Sequence, residues 1–339
     1  MDSQTACGGC SPLSSDVSCS KGENVMLRIH FLNVGHGDCC IVEFIDNSRV
    51  AMIDINRTSE MDENSAREIY ESLSISLAAR LLLASKSKIT SSMLERAGYD
   101  IKLQDPIEYL HENRINNIFR FISTHPHMDH LSGLYVLHKQ IGFMNIWVVK
   151  NKYEQDMDEL SESQKEDWNL YTKFRDTNER EIEGVTIVRP EEGSEAQYYK
   201  EDGIQILAPN DHLKDGSDNN ANRISYVLLI KHRGRKILLP GDAEEETWKY
   251  LVENYKTELK NVDILKAAHH GRDSGYYQPA VKLMSPTFTI LSVGKKPETD
   301  ASNKYRQYSK YVWSTRWKGN IVFTINEDGE ITYETQYNR

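Results

Sequence analysis

Leu27, Ile29 and Phe31 alternate with polar neighbours inside Val25–Val34, a period of two that predicts a strand with one buried face. The turn Gly35-His36-Gly37-Asp38 follows. Cys39–Phe44 and Val50–Ile55 resume the strand pattern, the latter carrying Asp54, so an N-terminal meander is expected. Between Ser65 and Glu95 the period lengthens to about 3.6. Ile69, Leu73, Leu77, Leu81 and Met93 form the apolar set there, predicting one long or two short helices in an insertion at about 60–104, set over a rim. Pro106 opens a further helix through Glu112. A short apolar strand, Ile118–Ser123, then leads through a loop into a helix at Leu131–Gln140, and Ile146–Lys150 is another strand. Tyr153–Glu183 is strongly acidic and helical in pattern, and reads as a solvated surface lobe at about 153–183.

The second half repeats the strand-rich plan. Strands are expected at Thr186–Arg189, Ile204–Ala208, Ser225–His232, Lys236–Leu239, Asp263–Lys266, Thr289–Ser292 and Ile321–Ile325, with a helix over Glu244–Tyr255. Two blocks of strands, each followed by helices, predict an α/β fold of two packed sheets covered outside by helices. Chemistry in such folds collects on loops at strand ends.

Composition narrows this picture. No Pro/Gly/Ser-rich linker divides the 339 residues centrally, and 39% are apolar, so one elaborated domain over 25–339 is expected after a disordered leader at 1–24. A formal charge of −10 argues against coating nucleic acid through bulk electrostatics and leaves room for a local basic groove. No stretch has bilayer length and the N-terminus lacks a signal-peptide pattern, so no membrane partner is expected and the cytoplasm is the default compartment. Cys39 and Cys40 read as small core residues. Cys7 and Cys10 have zinc-ribbon spacing, but their only companion is Cys19, which makes a floppy leader the simpler reading.

The chemistry concentrates in Ser123-Thr124-His125-Pro126-His127-Met128-Asp129-His130, where three imidazoles and a carboxylate fall within six positions after an apolar run. Burying that set is costly unless a cation sits among it. In an extended loop His125 and His127 point to one side and can hold one ion. Asp129 and His130, at the turn into the helix, can face a second ion, and Asp129 offers the hard oxygen that zinc or manganese accepts. Leu238-Leu239-Pro240-Gly241-Asp242 places another carboxylate straight after a hydrophobic strand, as a bridge between ions, a helix N-cap, or both. Leu265-Lys266-Ala267-Ala268-His269-His270-Gly271 puts imidazoles at a further strand end. His269 reads as the ligand, and His270 as a ring that orients a neighbour or takes part in proton transfer.

This ordered set, His-Xaa-His-Xaa-Asp-His, then Gly-Asp after a strand, then His-His-Gly, resembles the metallo-beta-lactamase superfamily. More narrowly, it is similar to the soluble hydrolase domain associated with ComEC competence proteins. The likeness runs from Asn33–Asp38 through Ile53-Asp54, His125–Gly133, Asn219-Asn220 and Ser225–Leu228 to Asp242 and His269–Gly271, and covers about residues 25–325 apart from the insertion and the acidic lobe. It implies a four-layer αβ/βα sandwich and two divalent ions, usually Zn2+, with Mn2+ as the alternative. By that resemblance His125 and His127 hold the first ion, Asp129, His130 and His269 the second, and Asp242 bridges them. Asp54 would orient an imidazole and Asp38 would support the first turn. Asp129, Asp242 and His270 are the residues expected to carry the reaction.

The chain also departs from the pattern. Many members of the superfamily carry a further His before the Gly-Asp motif. Here His212 is the candidate, and the first ion is otherwise held weakly or completed by water. Asn303-Lys304-Tyr305-Arg306-Gln307 is similar to a segment that often reads Asn-Xaa-Tyr-Gly-His. Gln307 takes the His place and Arg306 the Gly place, so Arg306 would supply charge where an imidazole is missing. Arg272-Asp273-Ser274 replaces a common small-hydroxyl continuation. Asn303, Lys304, Tyr305, Arg306 and Arg272 are the expected substrate contacts.

Ions held by this set would activate a water for attack on phosphorus or a carbonyl. Lys295, Lys296, Lys304, Arg306, Lys310, Arg316 and Lys318 face only Glu298 and Asp300 in sequence, and are interspersed with Trp313, Trp317, Tyr305, Tyr308 and Tyr311. Such a section suits a phosphodiester backbone with stacked bases, or an ordinary surface balancing the acidic lobe. Together with the ComEC-like group's link to DNA processing, it makes a phosphodiesterase or nuclease the expected activity, with nucleic acid as the partner. Two alternatives stand beside it. A hydrolase of a small ester, lactone, amide or phosphorylated metabolite is favoured if the insertion caps the site. A non-catalytic, metal-stabilised scaffold is favoured by the unclear first-ion ligand and by Gln307, and opposed by the presence of Asp129, Asp242 and His269.

Overall fold

The computed structural model describes residues 26–73, 87–215, 220–293 and 300–338. The leader with Cys7, Cys10 and Cys19 lies outside them, as do Val25, Leu77, Leu81, Asn219, Lys295, Lys296 and Glu298. Fifteen strands are described: β1 Leu27–Phe31, β2 Cys40–Phe44, β3 Arg49–Ile53, β4 Ile118–Ile122, β5 Phe143–Trp147, β6 Glu181–Ile182, β7 Val185–Val188, β8 Ile204–Ala208, β9 Val227–His232, β10 Arg235–Leu239, β11 Ile264–Lys266, β12 Phe288–Leu291, β13 Tyr311–Ser314, β14 Ile321–Ile325 and β15 Ile331–Thr335. They form a nine-stranded sheet, in order β15-β14-β1-β2-β3-β4-β5-β7-β6, and a six-stranded sheet, in order β13-β12-β11-β10-β9-β8.

The inner faces of both sheets meet in one core, in which Ile29, Phe31, Trp147, Tyr226, Leu239 and Phe323 are buried together. The outer face of the first sheet packs under helices Pro106–Glu112, Leu134–Gln140 and Glu162–Asp176. The second sheet packs its outer face under Glu245–Asn254 and Gln278–Met284. This is the four-layer αβ/βα sandwich that the motifs implied.

Three sequence readings change. Ile321–Ile325 does not close the second block but crosses to the first sheet, where β14 pairs antiparallel with β1, Phe323 opposite Ile29. Partner choice of this kind is set by which edge is free, not by local pattern. Strands β13 and β15 are additional, the latter exposed along most of its length and so without the alternation that marks a half-buried strand. The acidic lobe is not wholly solvated. Its helix Glu162–Asp176 buries Asp167, Trp168, Leu170, Tyr171 and Phe174, and the Asp167 carboxylate accepts the backbone N–H groups of Gly133 and Tyr135, each at 2.8 Å.

The site's position follows from strand direction. β3, β4, β5 and β7 run parallel, as do β10, β11, β12 and β13. Parallel strands deliver their C-terminal ends to one edge. The loop His125–His130 after β4, Asp54 after β3, Asp242 after β10 and His269-His270 after β11 therefore converge across the two sheets. β1 is antiparallel to β2, and β2 to β3, so the turn between β1 and β2, with His36 and Asp38, reaches the same edge.

Candidate metal centre

The first turn is built against the histidine loop. Asp38 N–H donates to the Asp129 carbonyl at 3.2 Å, and Asn56 Nδ2 donates to the carbonyls of Val34 and His36. A Cβ at Gly37 would stand 2.6 Å from the Asp129 carbonyl oxygen, so only glycine allows the two loops to approach this closely.

The buried side chains then surround one carboxylate. Asp242, 1% exposed, has Oδ1 3.3 Å from His130 Nε2, and Oδ2 3.7 Å from His125 Nε2, 3.6 Å from His270 Nε2 and 3.7 Å from His269 Nε2. His125 Nε2 is 3.0 Å from His127 Nδ1, and His270 Nε2 is 3.0 Å from Asp129 Oδ2. Behind the rings, Asp54 Oδ2 meets His130 Nδ1 at 2.7 Å and is itself fixed by the backbone and hydroxyl of Thr124. Asp38 Oδ1 meets His270 Nδ1 at 3.2 Å and Lys266 Nζ at 2.7 Å, and Ser292 Oγ donates to it. These carboxylates turn each ring so that Nε2 faces inward, the arrangement that prepares an imidazole for a metal ion.

The electrostatics favour a cation. Burial alone would raise the Asp242 carboxyl, but the neighbouring His130, His270 and His125 outweigh it and hold the group well below the usual carboxylate range. Burial likewise disfavours charge on His130, yet Asp242, Asp54 and Asp129 raise it well above its ordinary value. His125 is driven well down by burial and by His130, and His36 to about 4 by burial and by His270. His130 Nε2 and Asp242 Oδ1 are buried and make no hydrogen bond. Polar atoms left in this state are rare in folded proteins and costly unless something completes them.

Three sets of ligand atoms lie within 4.8 Å of one another: His125, His127 and Asp242; Asp38, His130, Asp242 and His270; and His36, Asp129 and His270. Donors about one ion with bonds near 2.1 Å sit roughly 3–4 Å apart. Imidazole and carboxylate donors at these spacings fit divalent ions.

The structure sets the two adjacent histidines differently, although both bring Nε2 within 3.7 Å of Asp242 Oδ2. His270 is fully buried and joins two of the sets. His269 turns to the rim, with Nδ1 bonded to Ser274 Oγ at 2.7 Å and 3.4 Å from Glu244. Both residues adopt left-handed backbone, φ +49° and +60°, as does Asp54 at +57°. Such conformations in non-glycine residues cost about 1–3 kcal/mol each and gather at functional sites.

Other expected residues fall elsewhere. His212 is exposed on the short helix Asp211–Lys214, its ring 6.5 Å from that of Tyr250, and belongs to none of the three sets. Arg272 turns to Glu68 at 3.1 Å, Lys304 to Asp273 at 2.9 Å, and Arg306 to Asn303 at 2.7 Å. Tyr305 is buried against Tyr276 with its hydroxyl on the Ala268 backbone, bracing the strand end before His269. The basic and aromatic section does not form a groove beside the centre among its described members. Arg316 is buried against Glu68, and Tyr311 pairs with Phe288 at the opposite end of the strands. His36, Lys266, Glu68 and Glu244 carry no role in the sequence reading. For His36 and Lys266 the signal was their place inside quoted motifs, whereas Glu68 and Glu244 have none.

Metal uptake will depend on pH. Burial opposes charge on His270, but Asp242 and Asp38 overcome it and push the ring up to about 9. In the metal-free protein that protonated ring therefore contributes stability in full below its unfolded value near 6.5 and loses it as pH rises through about 9. A metal ion must displace the proton, so affinity should climb from pH 7 and level off above about 9. Calorimetric titration in two buffers of different ionisation enthalpy will show proton release. A flat profile with no release would contradict the assignment.

No family model matches the chain. Recombination protein 2 of Haemophilus influenzae is 25% identical over 130 residues, which make up 37% of this chain and 16% of that protein. Among solved structures, Igni18, described as a novel metallo hydrolase from the hyperthermophilic archaeon Ignicoccus hospitalis, aligns over 91% of this chain and 98% of its own, with TM-score 0.44 and 13% identity. A diphosphatase from the PhnP family covers 88% and 98%, with TM-score 0.40 and 11% identity. Unliganded yeast PDE1 covers 86% and 97%, with TM-score 0.39 and 13% identity. Among the described residues no helix is long and apolar enough to cross a membrane.

Proposed function

We propose that this protein is a metal-dependent hydrolase with a two-ion centre that cleaves phosphodiesters of small molecules. The observation that carries the reading is the facing pair His130 Nε2 and Asp242 Oδ1, 3.3 Å apart, buried and without a hydrogen bond where the imidazole groups meet. Two divalent ions, zinc or manganese by the donor set, would supply Lewis acidity and an activated water, and would clamp both oxygens of an in-line displacement. His125 and His127 would hold the first ion, and Asp129, His130 and His270 the second, with Asp242 shared. Asp54 and Asp38 keep the inward nitrogens of His130 and His270 free of protons when the ions bind. His269, set on the rim between Ser274 and Glu244, is the imidazole placed to hand a proton to the leaving oxygen.

A compact substrate is favoured by what surrounds the opening. His36, Met128 and Asp129 give onto a cavity of about 680 Å³ whose walls include Glu60, Asp62, Glu166 and Asp167. Its one arginine, Arg57, is paired with Asp105 at 2.7 Å. Residues 57–62 of this wall lead into the insertion helix Glu63–Leu73, and no lysine stands among the described residues that line the cavity. Such a wall repels a polyanion.

The test is turnover by zinc- and manganese-loaded protein of a bis-aryl phosphodiester, small alkyl phosphodiesters, single- and double-stranded DNA, and RNA, with Asp129→Ala as control. Cleavage of the small diesters, and loss of it in the variant, is the expected result. Preferential cleavage of nucleic acid would reverse the size assignment. No cleavage of any of them would end the phosphodiesterase reading.

A further inference from the structure

We infer that His36 is a metal ligand, completing the outer side of the second ion position together with Asp129 and His270. The inference rests on the two-ion reading above and extends it to a residue from a different loop, the turn between β1 and β2.

Geometry carries it. His36 Nε2 lies 3.9 Å from Asp129 Oδ2, which in turn lies 3.0 Å from His270 Nε2, and the three donor atoms all fall within 4.8 Å of one another. The His36 ring stands edge-on to that of His270, with centroids 4.9 Å apart. Its backbone is not free to drift. The His36 carbonyl accepts from Asn56 Nδ2 at 2.9 Å, and the next turn residue but one, Asp38, is tied by its N–H to Asp129 and by its carboxylate to His270 and Lys266. The turn that presents His36 is thus fastened to the two residues with which it would share an ion.

The placement has a functional meaning. His130, Asp242 and His270 stand on the inner side of this position, with Asp38 behind the His270 ring, and all four are buried. His36 and Asp129 are its partly exposed members, and they also line the wall of the 680 Å³ cavity. The second ion would therefore be the one the substrate meets, gripped from the cavity side by His36. Without that imidazole the position keeps its inner donors but loses its outer one, so one ion becomes selectively weaker while the ion at His125 and His127 is untouched.

The experiment is metal titration of the metal-free protein with Zn2+ and Co2+, reading ions per chain by elemental analysis after gel filtration, dissociation constants by chelator competition, and hyperfine-shifted ring N–H signals in the 1H spectrum of the 15N-labelled Co2+ form. In the wild-type protein two ions and a shifted His36 ring signal are expected. In His36→Gln one ion should bind as before and the other at least about 10-fold more weakly, with the same ion weakened in Asp129→Asn. Two ions in the wild-type protein without a shifted His36 signal, or unchanged affinities in His36→Gln while Asp129→Asn loses an ion, would overturn this inference and leave the two-ion reading standing. Fewer than two ions in the wild-type protein would overturn both. The wild-type spectrum decides the matter even if a variant folds poorly.

Discussion

Replacing Asp242 by Asn should remove the centre's function almost entirely. One carboxylate lies within 3.7 Å of four imidazoles, and its two oxygens divide the work: Oδ1 faces His130, while Oδ2 faces His125, His269 and His270. An amide of the same shape leaves the packing in place but withdraws the only full negative charge shared by both metal groups, and turns an N–H2 towards one of them. Bound metal should fall to one ion per chain or fewer, and turnover of a phosphodiester by at least about 10³-fold, the scale seen when charge stabilisation is removed from a buried catalytic site. The metal-free variant should also take up fewer protons near neutrality, because Asp242 leads the charges that keep His130 and His270 protonated against the cost of burial. Elemental analysis, kinetics and a proton titration check the three parts. Retention of both ions with full turnover would show that Asp242 holds no shared ion; the following helix is capped at Glu244, not at Asp242.

Glu68→Ala is expected to have the largest effect on stability. Glu68, 4% exposed on the insertion helix Glu63–Leu73, accepts from Arg272 at 3.1 Å through Oε1 and from Arg316 at 2.9 Å through Oε2. Arg316 also donates to Ser65 of the same helix at 2.8 Å. The carboxylate thus joins the insertion to the loop that follows His270 and to the segment before β14. Removing it takes the shared negative charge from two guanidinium groups, and breaking buried pairs in this one-sided way costs about 3–5 kcal/mol. The melting temperature should fall by on the order of 10 °C. Glu68→Gln, which keeps one accepting oxygen, should lose less. A melting temperature unchanged in both variants would mean that the apolar contacts of Ile69 and Leu94 hold the insertion by themselves.

The same triad shows what two of the basic residues meet in the fold. Arg272 and Arg316 look like substrate contacts in a sequence, since a positive charge near a metal motif suits a phosphate. Their partner sits about two hundred positions away in an insertion whose own pattern shows only an amphipathic helix. Long-range ion pairs leave no periodic trace, and neither does the pairing of β14 with β1. The placement of His269 and His270 is of the same kind: two adjacent imidazoles are equivalent in sequence, and only the folded backbone, left-handed at both, shows which one is fully buried.

What the chain determined by itself was local and repetitive. Alternation at Leu27–Phe31 and the buried runs at Ile204–Ala208 and Ile321–Ile325 specify strands, because side chains on a pleated backbone repeat every two residues. The spacing in His125–His130 points to a metal-binding loop, because burying so many donors together is costly without a cation. The tertiary structure alone decided which donors come together. His36 and Asp38, Asp54, Asp242 and His270 stand on separate strand ends, and they meet only because parallel strands of two packed sheets end at one edge. The distances that make a ligand set arise from that packing, and nothing in the order of residues along the chain encodes them.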